Sequence, residues 1–109
     1  MENIRIDVGV DTALTIDLTN FDFSNVSKVI FTIKNEASPN SEPIIEREFE
    51  TAEEHNIIIT NEESLKLHGE PVYDFIELSA DGNVYKSTEN GKVILRQGVG
   101  QDEQDNSKE

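Results

Sequence analysis

The sequence predicts an all-β domain of about seven to eight strands with one short helical turn near residues 61–68. Three observations carry this reading. Apolar and polar residues alternate with a period of two in the runs opening at Ile4, Leu14 and Lys28, and that period places one set of side chains on a single face of a strand. Asp81-Gly82 and Asn90-Gly91 punctuate Gly69 to Arg96, and these dipeptides are strong hairpin signals because Gly accepts φ > 0 and Asn or Asp tolerates it. The chain has no cysteine, so folding rests on packing, and neither a disulfide framework, a thiolate metal site nor a Cys nucleophile is available.

In order, Ile4, Ile6 and Val8 form the core-facing set of a first strand, and Gly9 to Asp11 turns the chain. Leu14, Ile16 and Leu18 face inward from a second strand. Phe21, Phe23 and Val26, in a short polar stretch, fold back as a plug over the core. Lys28 to Lys34 puts Val29, Phe31 and Ile33 inward. Asn35 to Pro43 reads as an exposed loop, with two prolines and no apolar pattern. Ile44 to Phe49 is an edge strand with Ile45 and Phe49 inward, its glutamates discouraging pairing with another chain. Asn56 to Thr60 is a short strand built on Ile57 and Ile59.

Thr60-Asn61-Glu62-Glu63 fits a capping box, Leu65 and Leu67 continue the helical turn, and Gly69 is placed just past its end. In Val72 to Leu78, the residues Val72, Ile76 and Leu78 share one parity, and Tyr73 and Phe75 share the other. Either this strand is central and covered on both sides, or a bulge near Phe75-Ile76 switches its register; the bulge is the preferred reading. Lys92 to Arg96 closes the fold, giving one domain over residues 1–98. Residues 99–109, with four acids and one base after Gly100, read as an acidic disordered tail.

The formal charge of −14, from 23 acids and 9 bases, argues against nucleic acid and anionic membranes as partners. The start carries no signal-peptide pattern, and no apolar run nears the roughly 18 residues that span a bilayer. The expected location is therefore the cytoplasm, and Asn25-Val26-Ser27 is read as a chance glycosylation match. No constellation of residues points to catalysis, a cofactor or a metal. His55 lies in an acidic turn and reads as a solvated loop residue; His68 closes the helical turn, where a cation suits the C-terminal dipole. Asp22 alone does not make a calcium loop. Tyr73, Tyr85 and the five phenylalanines read as core, ahead of a sugar-stacking platform.

The order of segments resembles a known family: the small β-sandwich that forms the N-terminal domain of the baseplate upper protein of lactococcal-type phages, and short stand-alone phage and prophage proteins. The resemblance rests on Val10-Asp11-Thr12, Phe23-Ser24, Val29 to Lys34, Asn56 to Thr60, Ser64 to Gly69, Val72 to Leu78, Asp81-Gly82 and Gly91 to Leu95. Departures are an extra residue between Tyr73-Asp74 and Glu77-Leu78, and Pro71 where the family commonly has Gly. The resemblance implies an Ig-like antiparallel β-sandwich with an assembly role in a phage tail or baseplate, without catalytic, cofactor or metal residues. It further implies phage structural proteins as partners, a trimer or hexamer, and a place in the virion. Two other readings stand beside it: a small acidic, DNA-mimicking inhibitor of a host protein, and a carbohydrate-binding module.

Overall fold

The computed structural model describes residues 3–21, 23–38, 40–87 and 91–97. Eight strands and one helical turn follow each other: β1 (Ile4–Val8), β2 (Thr12–Asp17), β3 (Lys28–Lys34), β4 (Pro43–Phe49), β5 (Glu54–Ile59), α1 (Asn61–Ser64), β6 (Val72–Leu78), β7 (Val84–Ser87) and β8 (Gly91–Gln97). The larger sheet has the order β1-β8-β6-β3-β4, with β7 also paired to β6; β2 and β5 form the second sheet. This is the strand order of an Ig-like sandwich. The third, sixth and last strands share one sheet with an added strand beside the third, while the second and fifth form the other. The pairing is antiparallel except between β1 and β8, which run parallel. The expected fold class is thus the observed one.

The alternation read from the sequence builds the core directly. Val29, Phe31 and Ile33 on β3 are fully buried, as are Ile6 on β1 and Ile59 on β5. Phe31 centres an aromatic group, its ring 5.7 Å from Tyr73 and 5.4 Å from Phe75. Phe21 meets Phe75 edge-on at 5.5 Å and Val26 is buried, so the polar stretch after β2 does plug the core. Gly91 has a steric rather than a torsional role. It lies opposite Tyr73 across the β6–β8 pair, and a Cβ there would sit 2.5 Å from the Tyr73 ring. Asn90, its partner in the predicted turn, lies outside the described residues, as do Asp22 and the acidic tail.

Two expectations are corrected. The preferred bulge near Phe75-Ile76 is absent: β3 and β6 stay in register from Lys28↔Leu78 to Lys34↔Val72. β6 is instead an interior strand, flanked by β3 on one side and by β7 and β8 on the other. A strand in that position sends apolar side chains to both faces, which explains its mixed parity. The register shift falls on the β7 side, between Glu77 and Leu78.

The helical turn is also shorter than expected. The capping box forms, with Glu63 N–H donating to Thr60 Oγ1 at 3.2 Å and Thr60 N–H to Glu63 Oε1 at 3.0 Å. The helix nevertheless ends at Ser64, because Lys66 and Leu67 donate three residues back and Asn35 then captures the chain. Its amide nitrogen donates to Lys66 O at 3.1 Å, and its oxygen accepts from His68 N–H at 3.0 Å. Gly69, with φ +70°, and His68 therefore lie beyond the helix.

Candidate interaction surface

The two histidines stand apart from any chemical constellation. His55 belongs to β5 rather than to a solvated turn, and its register opposite Ile16 turns it inward. It is half-buried, with its ring 4.6 Å from that of Phe49 and its Nε2 3.0 Å from Thr51 O. His68 is exposed and holds the chain through its backbone. Among the described residues, no group of three or more His, Cys, Asp or Glu side chains could hold a metal ion. Nor is any helix among them long and apolar enough to cross a membrane. Tyr73 is 5% exposed and none of the five phenylalanines is exposed, so these rings offer no stacking platform. The Tyr85 side chain lies outside what is described.

Arg47 bridges several elements. From β4 its guanidinium donates to Glu63 Oε1 at 2.7 Å and to Ile58 O on β5 at 3.1 Å. Glu63 also accepts from Thr60, so the Arg47–Glu63 pair joins the helix cap to both sheets. The Arg47 hydrogen bond holds the Glu63 carboxyl below its ordinary range, against the opposing effect of partial burial. This network occupies the β4 and β5 edges and works as a tie. Asp17 and Asp81 are likewise held low, chiefly by hydroxyl hydrogen bonds from Thr19 and Ser79, as expected for carboxylates that order turns.

The surface with a different character is the outer face of the larger sheet. Pairing registers place Lys28, Ile30, Thr32 and Lys34 of β3 there, opposite Leu78, Ile76, Asp74 and Val72 of β6. Glu46 and Glu48 join from β4, Lys92, Ile94 and Arg96 from β8, and Arg5 and Asp7 from β1. Ile30 and Ile76 are cross-strand neighbours, half-buried like Val72 and Leu78, while Ile94 is 41% exposed. Local contacts order the polar residues. Lys28 Nζ lies 3.0 Å from Glu48, Thr32 Oγ1 donates to Asp74, and Arg96 Nε lies 3.7 Å from Asp7. Nothing in this arrangement pairs a nucleophile with a base. It is a mixed apolar and charged surface suited to contact.

Sequence reading did not find this face. Its signal was the second apolar parity of Val72 to Leu78, which only the interior position of β6 makes intelligible.

No protein-family model matches the chain, and no curated protein matches it. A solved structure similar to it is that of the extracellular domains of the voltage-gated sodium channel beta4 subunit, reported as parallel homodimers that explain a role in cell–cell adhesion. The likeness covers 89% of this chain and 90% of that one, at 12% identity and a TM-score of 0.43. The Ig-like assignment made above rests on strand order alone.

Proposed function

We propose that this protein is a non-enzymatic structural or assembly component of a phage or prophage tail or baseplate, made in the cytoplasm and carried into the particle. The family resemblance of the segment order supplies the phage context. The observation that carries the contact role is the outer face of the larger sheet, where half-buried Ile30, Val72, Ile76 and Leu78 and exposed Ile94 lie among ordered charges. Half-buried apolar side chains with polar groups around them are the elements from which a contact between folded partners is built.

The inhibitor reading has less support. Exposed acids such as Asp17, Glu46, Glu54 and Glu62 belong to both sheets and the helix, and Glu46 and Glu48 on the larger sheet are interleaved with lysines. The carbohydrate reading would need exposed rings, whereas Tyr73 is buried.

The test is to tag the chain in its native genetic setting, purify the particles and probe their tail and baseplate fractions. The expected result is a fixed copy number that survives washing. A chain abundant in the lysate and absent from particles would overturn the proposal.

A further inference from the structure

We propose that the outer face of the larger sheet binds the same face of a second copy, forming a two-fold symmetric dimer. The inference rests on the contact role argued above and adds the partner and the residues.

Charge is the first support. The chain carries −14, yet this face gathers Arg5, Lys28, Lys34, Lys92 and Arg96 against Asp7, Glu46, Glu48 and Asp74. Five cations against four carboxylates leave it at a formal +1, and they are five of the nine bases in the chain. The outer face of the smaller sheet shows the opposite balance, with Asp17 directly opposite Glu54 and no base. Two copies of so acidic a molecule repel each other. On this face that repulsion is locally cancelled.

The distribution within the face is self-complementary. Moving along β6, the row Lys92-Val72-Lys34 is followed by Asp74-Thr32-Glu46, and then by Ile76-Ile30-Glu48. A two-fold axis in the contact plane and perpendicular to the strands, set between the basic and acidic rows, lays each on its opposite in the partner. Such a contact is isologous and closes at two copies.

The size suits a weak contact. Five strands spaced about 4.8 Å apart, five to seven residues long at about 3.3 Å a residue, project to roughly 520 Å². Corrugation by side chains raises the accessible area toward the roughly 800 Å² that each partner gives to a standard interface. A contact at this lower end forms a concentration-dependent dimer.

Sedimentation equilibrium of the full chain across a concentration series tests the proposal. The expected mass is that of a dimer at high concentration, falling to that of the monomer on dilution. Ile94→Glu and Lys92→Glu, both at exposed positions, each weaken association at least about tenfold, while far-UV circular dichroism and melting stay as in the wild type. Ile58→Glu, on the outer face of the smaller sheet, leaves the mass unchanged. A monomer at every concentration, or an oligomer indifferent to Ile94→Glu and Lys92→Glu, would overturn the dimer. A monomer that still enters particles would leave the assembly role standing, and a dimer absent from particles would leave only the face.

Discussion

On β2 and β5 the outward side chains are Ala13, Thr15 and Asp17 opposite Ile58, Asn56 and Glu54. Thr15 donates to Asn56 at 2.9 Å, Asp17 is held by Thr19, and only Ile58 is a large exposed apolar residue. On β3 and β6 the outward positions carry Ile30, Val72, Ile76 and Leu78 among lysines and acids. Both faces come from the same two-residue alternation around one core. They differ because β2 and β5 pair only with each other, whereas β6 is interior and strongly apolar in both parities. Polar groups find local partners on both faces; the face that also leaves isoleucines half-buried gains more by being covered.

The largest expected effect tests whether the two faces share one core. Phe31 is fully buried and in ring contact with Tyr73 and Phe75. Phe31→Ala removes those contacts and leaves a cavity, at a cost of about 3–5 kcal/mol. Denaturant unfolding followed by circular dichroism should move as a single transition to lower midpoint with an unchanged slope. Two separate transitions would mean that the sheets are independently stable, and that the faces belong to separate units.

A smaller effect comes from the tie between the sheets. Glu63→Gln removes the charge that Arg47 engages across β4, β5 and α1, a pair with side chains 28% and 26% exposed. The expected loss is about 1 kcal/mol, discounted for solvent screening at these exposures. It should be pH-dependent. Because the folded carboxyl is held below its ordinary value, its contribution is fully present above the unfolded pKa and is lost as pH falls through the folded one. Denaturation midpoints measured from neutral pH into the acid range should therefore draw together for wild type and variant as pH falls. Parallel curves would exclude this carboxylate as the source.

Much of the fold was legible beforehand because local rules decide it. The alternation in Ile4 to Val8 and Lys28 to Lys34, the capping box at Thr60 and the Asp81-Gly82 turn all appear where the residues place them. Position within the sheet was not legible. Nothing local to Val72–Leu78 says that β3 lies on one side and β7 and β8 on the other, so a bulge was the simplest account of its two apolar parities. His55 was misplaced for a related reason: Glu53-Glu54-His55 looks solvated until pairing with β2 turns His55 inward, where its ring meets Phe49 of β4. The outer face of the larger sheet was hidden because its residues come from five separate strands.

The smallest expected effect contrasts the faces directly. Ile76 and Ile58 are both outward isoleucines on strands, one half-buried beside Ile30, the other 50% exposed beside Ala13. Thr keeps the β-branch that strands favour and replaces apolar surface with a hydroxyl, so propensity changes little and burial decides the outcome. Ile76→Thr should cost about 1 kcal/mol and Ile58→Thr less than about 0.5. Measured at low protein concentration, the difference reports burial within one chain. Measured at high concentration it should widen, because association stabilises the folded wild type by mass action and Ile76 lies inside the proposed contact while Ile58 does not. A difference that stays constant with concentration would assign the half-burial of Ile76 wholly to its neighbours on the sheet, and would take it out of the contact.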